Sequence, residues 1–227
     1  MKKLIILFAF GLLARQVAPA QGSITYLSNL GHPSTGSIAV GSDSWQATVF
    51  HTGSNIGGYV LDSIQLALTP ATGDPNSFAV LLYSSIHGGG EMNYPGSSLG
   101  ILDGPSNPAA DGIFTFTPDS SIILSPRTSY FIVLTAGTAV ANGAYEWASG
   151  GSFNSIGGWT VTPLDPTIDN YQSSNGSTWN LSSGASLQFA ISATPVPEPG
   201  VLSLLGLGGA ALLWRRWQAK TARVPSP

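Results

Sequence analysis

Gly96-Ser97-Ser98-Leu99-Gly100 has the G-x-S-x-G spacing that can present a nucleophilic serine for acyl transfer. That chemistry needs a strand before the serine, a helix after it and a base to take the hydroxyl proton. Asn93-Tyr94-Pro95 precedes the motif and Asp103-Gly104-Pro105 soon follows, which favours neither element. No histidine follows Ser98 in the chain, although the order of such hydrolases requires one. A chance match in a Gly/Ser-rich loop is the better reading.

The three histidines, His32, His51 and His87, are scattered, and none forms a metal-ligand pair of the H-E-x-x-H kind. His87 and Glu91 flank three glycines, a pattern that reads as a solvated turn. Two carboxylates could serve glycoside hydrolysis, and Asp103 with Asp111, or Asp165 with Asp169, are near in sequence. In Gly/Pro loops such acids more often stabilise turns, so no enzyme, no metal and no cofactor is expected. Structural calcium stays open, because Asp165, Asp169 and Asn170 offer hard oxygen ligands without the order of an EF-hand. Trp147, Trp159, Tyr171 and Trp179 gather in the last third of the chain. Aromatic rings on a β-sheet either stack on sugar or fill a core. These four are the candidate glycan contacts and carry the alternative reading of a carbohydrate-binding module. Asn175-Gly176-Ser177 and Asn180-Leu181-Ser182 match the glycosylation sequon.

The elements that would position these groups are set by an unusual composition. Of 227 residues only 8% are charged, and seven of the eight bases lie outside residues 21–194. Within that stretch ten acids face one base, Arg127, a formal charge of −9. Such a surface repels phosphate backbones, which excludes nucleic acid as a partner. With no cysteine the chain has neither disulfides nor a thiolate site. Stability must come from a packed core, and a stretch of this length can bury one.

Short β-type runs separated by Gly, Ser, Thr, Asn and Pro fill residues 21–194. Alternation of period two is clear over 63–68, 113–117 and 187–191. Unbroken apolar runs at 78–83 and 130–134 predict strands covered on both faces. Further strands are expected at 24–29, 45–51, 122–124, 145–148 and 159–162. No window of a dozen residues has a helical period. Some ten strands with frequent turns predict an all-β fold, an antiparallel, jelly-roll-like β-sandwich.

The two ends read as addresses. Lys2 and Lys3 precede an apolar run over 4–13, and Ala18-Pro19-Ala20 places small residues where a signal peptidase reads. Ten apolar residues are about half a membrane span, so residues 1–20 are expected to be a signal peptide, with Ala18 and Ala20 before the cut and Gln21 after it. At the other end, Val196-Pro197-Glu198-Pro199-Gly200 precedes an uncharged run over 201–214, then Arg215-Arg216-Trp217. Fourteen helical residues span about 21 Å against a hydrocarbon core of about 30 Å. A transmembrane helix at about 200–217 is therefore a short anchor. Trp214 and Trp217 suit the interface, and Arg215, Arg216, Lys220 and Arg223 keep the tail cytoplasmic.

These residues carry a resemblance. A Pro-Glu-Pro motif, an apolar Leu/Gly/Ala segment and a terminal Arg cluster, in that order, resemble the PEP-CTERM sorting signal of Gram-negative bacteria. The resemblance covers about 25 residues, here 195–227 with the tail. It implies recognition by exosortase, a membrane cysteine transpeptidase that cuts near the motif. It also implies a genome that couples such proteins to exopolysaccharide production and biofilm. Pro197, Glu198, Pro199, Arg215 and Arg216 would be substrate positions and catalyse nothing.

The region between is similar to the choice-of-anchor ectodomains, notably the R type. The residues that carry this are the sequence from His51 to Ile64, the run 78–83, Pro95-Gly96-Ser97, Phe114-Thr115-Phe116, Leu124-Ser125-Pro126 with Thr128-Ser129-Tyr130, and Tyr145-Glu146-Trp147. That similarity implies surface display and no defined activity. The expectation is an exported, non-catalytic cell-surface or matrix protein. Its partners would be signal peptidase, exosortase, the inner membrane and exopolysaccharide.

Overall fold

In the computed structural model, residues 22–87, 93–161, 169–183, 186–197 and residue 209 are described. The compact unit is Gln21–Val196; the remaining unit, Met1–Ala20 with Pro197–Pro227, lies almost wholly outside the described residues. The signal peptide, with Ala18, Ala20 and Gln21, is therefore outside them, and so is the expected membrane segment at about 200–217. Among the described residues, no helix is long and apolar enough to cross a membrane.

The fold is all-β and antiparallel. In chain order the strands are β1 Ile24–Ser28, β2 Gly36–Val40, β3 Trp45–His51, β4 Tyr59–Gly73, β5 Ala79–His87, β6 Asn93–Asp103 and β7 Gly112–Pro118. They continue with β8 Ile123–Leu124, β9 Ser129–Thr135, β10 Gly143–Ser149, β11 Asn154–Ser155, β12 Asp169–Ser173, β13 Asn180–Ser183 and β14 Phe189–Pro195. One short 3-10 turn, Val140–Asn142, precedes β10.

The hydrogen-bonded order is β11-β1-β14-β4-β7-β6-β5-β9-β3-β12-β13. β10 extends along β4 beyond β14 and carries β2, while β8 pairs with the start of β4. The β6–β7 pairing, Leu102 with Pro118 and Asp103 with Thr117, joins what would otherwise be two sheets. One main core draws on both halves: Ile64, Leu66, Phe116, Phe189 and Ile191 from one, Phe50, Val80, Leu82, Ile132 and Leu134 from the other.

Two strands show how the sequence produces this. In β4, Tyr59, Leu61, Ile64, Leu66 and Leu68 are all buried, although the phase of alternation changes between Leu61 and Ile64. Ser63 pairs with Ser192 and Leu61 with Ala193, so Asp62 is an extra residue opposite β14. This bulge resets the pleat and keeps both halves of the strand facing the core. β9 is buried on both faces, as its unbroken apolar run predicts. Tyr130, Ile132 and Leu134 enter the main core. Phe131 and Val133 face a second cluster with Ala47, Val49, Tyr83 and Tyr171.

Candidate functional site

The last strand determines where the C-terminal segment leaves the domain. β14 lies between β1 and β4, and its register runs out at Pro195 opposite Tyr59. Proline supplies no N–H, so it suits a strand's final pairing position. Val196 is then tied down on both sides of its peptide. Its N–H donates to the Gly58 carbonyl at 3.0 Å, and its carbonyl accepts from the Asn55 side-chain amide at 3.0 Å. Pro197, the next residue, is exposed.

The loop holding Val196 is built from residues 52–58. The Gly58 N–H donates to the Asn55 carbonyl at 2.9 Å, closing a turn. Gly58 has φ +78°, and a β-carbon there would sit 2.5 Å from the Leu124 carbonyl oxygen, so the position requires glycine. Thr52 donates its hydroxyl to the Ser125 carbonyl at 2.6 Å, and the Arg127 N–H donates to the Gly53 carbonyl at 2.9 Å. Val196 is thus held by a loop that is itself hydrogen-bonded to residues 125 and 127. Glu198, Pro199, Arg215 and Arg216 lie outside the described residues.

Three of the four candidate glycan contacts lie inside the domain. Trp147, Trp159 and Tyr171 are fully buried. Trp147 donates its indole N–H to the Gln188 carbonyl at 2.9 Å. Trp159 stacks on Tyr26 at 4.9 Å and on Phe50 at 5.9 Å, with Tyr59 edge-on at 5.0 Å. Tyr171 meets Phe131 and Tyr94 edge-to-face. Rings whose faces are already covered offer nothing to a sugar. The physical reason is that Trp147 and Tyr171 take inward positions on β10 and β12, and Trp159 follows the turn closed by its own N–H on the Ile156 carbonyl, so that all three rings fill interior volume. Trp179 is half-buried against Tyr83, with ring centres 6.5 Å apart. The four rings divide between two clusters and make no common platform.

Other groups with chemical capacity are also dispersed. Ser98 lies in mid-strand on β6, opposite Tyr83, so the nucleophile turn is absent there. His51 sits on β3 with Nδ1 3.1 Å from the Ser129 hydroxyl, and burial lowers its pKa. His87 ends β5, and His32 packs beside Gly151. Asp103 and Asp111 are exposed, Glu91 and Asp165 are outside the described residues, and Asp169 opens β12. Among the described residues, no three His, Asp or Glu side chains converge as metal ligands.

Several polar side chains instead hold turns. Asp43 accepts from the Val140 N–H at 2.9 Å, and Asn29 ties the 150 and 187 carbonyls together at 3.2 and 3.1 Å. Asn175, the first sequon asparagine, accepts from the N–H groups of Ser177 and Thr178. The roles of Asp62 and Asn55 escaped the sequence reading. The N-I-G-G spacing after Asn55 was the signal available for the latter.

No curated protein and no solved structure matches the chain. Residues 195–216 match the family described as the PEP-CTERM protein-sorting motif, so the chain carries an export and membrane-linked sorting signal of the kind exosortase processes, beginning on the last residue of β14.

Proposed function

We propose that this is an exported, non-catalytic surface protein whose C-terminal segment holds it in the inner membrane until exosortase cuts near Pro197-Glu198-Pro199. The β domain then serves display or cohesion in an exopolysaccharide-rich matrix or biofilm. The observation that carries the reading is the sorting-motif match at 195–216, which begins where the described domain ends. The similarity of residues 51–147 to choice-of-anchor ectodomains supports display. The acidic, cysteine-free composition suits a domain that folds outside the cytoplasm without oxidative assistance.

Within this reading the segments divide the work. Residues 201–214 give a span short of the bilayer, and mismatch costs fractions of a kcal/mol per Å, so the anchor is weak. Gly206, Gly208, Gly209 and Ala210 allow another helix to approach closely. Arg215 and Arg216 stop transfer, and the prolines keep the cleavage region extended.

The test follows mass and location of the protein in cells with and without exosortase. Replacing Pro197, Glu198 and Pro199 with Ala should leave full-length protein in the membrane. Replacing Arg215 and Arg216 with Ala should impair retention before processing. A full-length C-terminus that persists in both strains would make the segment a permanent anchor and end the sorting claim.

A further inference from the structure

Three segments, two loops and the short strand β8, meet around the point where the chain leaves the domain, and each carries an exposed isoleucine. Residues 52–58 are the hub. They hold Val196 through Asn55 and Gly58, and a β-carbon on Gly57 would lie 2.7 Å from the Val196 carbonyl oxygen. A β-carbon on Gly58 would lie 3.4 Å from Ile123 Cγ2. Gly53 binds the Arg127 N–H and lies directly against Gly157, in the turn that follows Ile156. Ile56, Ile123 and Ile156 are 77%, 62% and 53% exposed. Segments 52–58, 120–128, 154–161 and 196–197 contain no Asp or Glu, and they contain Arg127, the sole base of residues 21–194. Asp62, bonded to the Thr194 hydroxyl at 2.9 Å, and Asp119 and Glu198, each next to one of these segments in sequence, are the acids beside them.

Two features choose the occupant. Residues 197–200 reach at most about 14 Å even when fully extended, and the apolar run starts at Val201. This end of the domain is thus held within a short distance of the surface that 201–214 enters. Exposed Ile86, Leu99, Ile101, Ile113 and Leu181 lie elsewhere on a domain that is strongly acidic and repelled by anionic headgroups, whereas the exit end combines its apolar side chains with the one cation of residues 21–194. Exposed apolar groups rimmed by polar residues suit an interfacial environment.

We propose that the exit end is a lipid-docking surface. Ile56, Ile123 and Ile156, with Arg127, rest in the headgroup layer and seat the domain on the membrane before processing. This rests on the membrane-anchor reading above. Docking sets the height of Pro197-Glu198-Pro199 relative to the bilayer, which a flexible tether would leave undetermined.

The absence of cysteine makes the test direct. Full-length mature chain carrying Ser121→Cys or Ala110→Cys is labelled with a nitroxide and reconstituted in phosphatidylethanolamine–phosphatidylglycerol liposomes. Ser121 is two residues from Ile123, whereas Ala110 lies beside the far part of the 15-residue β4, next to Ala109, whose carbonyl accepts from the Ala71 N–H at 2.9 Å. Flotation is read first. Protein that does not float removes the anchor, and the docking proposal with it. In floating protein, the Ser121 label should show raised oxygen and reduced nickel-complex accessibility relative to Ala110. Combining Ile56→Ser, Ile123→Ser and Ile156→Ser should return it to the Ala110 value while flotation persists. The three single variants, each expected to give part of that shift, preserve the comparison if the triple variant misfolds. Equal accessibility at both labels in floating protein overturns docking while leaving the anchor intact. Shielding of Ser121 only when exosortase is co-reconstituted also overturns it and assigns the surface to the enzyme.

Discussion

The Asn55 side chain donates its amide to the carbonyl of Val196 at 3.0 Å, across 141 positions of sequence. Through this contact a surface loop fixes the residue from which the sorting segment departs. Asn55→Ala removes that bond and the one to Gly58. We expect a loss of about 1–3 kcal/mol, the usual cost of stranding part-buried polar groups, read as a lower urea midpoint. Limited proteolysis should also cut faster around 196–200.

Trp159 is enclosed by Tyr26, Phe50 and Tyr59. Trp159→Ala opens a cavity in the main core and should cost about 3–5 kcal/mol. At about 2–4 °C per kcal/mol for a domain of this size, the melting temperature should fall by roughly 6–20 °C. Trp179→Ala, at a half-buried ring, should cost much less. Equal effects at the two positions would contradict the burial described.

Burial lowers the His51 pKa below the ordinary 6.5. The unfolded chain therefore takes up this proton more readily than the folded one as pH falls. The stability contribution is complete above pH 6.5 and is lost as pH drops from there through the folded value. Thermal scans at about pH 7.5 and about pH 5.5 should show a smaller difference for His51→Gln than for the unchanged protein. An unchanged pH dependence would show that His51 titrates freely.

The mature protein should begin at Gln21, because Ala18 and Ala20 occupy the positions a signal peptidase reads. Mass spectrometry of exported protein should find that N-terminus. An N-terminus at Met1 would refute it.

Much of the strand content was legible because apolar runs and alternation state burial directly, as at 130–134. β4 was legible only from 63 to 68. The Asp62 bulge breaks the alternation that its first half shares with the second. β6 was hidden for a different reason. Pro95, two glycines and two serines read as loop, and the strand accommodates them through irregular pairing with β5. The burial of Trp147, Trp159 and Tyr171 was not legible, because sequence shows ring type but not which way a ring faces. The sorting motif needed no tertiary information, since an enzyme reads it as a linear segment.

The position of β14 has a consequence for biogenesis. The last strand to leave the translocation channel is inserted between β1, the first, and β4. Closing so long a loop is slow, and among the described residues β1 pairs only with β14 and the two-residue β11. Folding therefore cannot finish until almost the entire chain has been translocated. Completion of the domain and arrival of the motif fall at the same moment, so a chain arrested before residue 195 lacks both its closing strand and its cleavage signal.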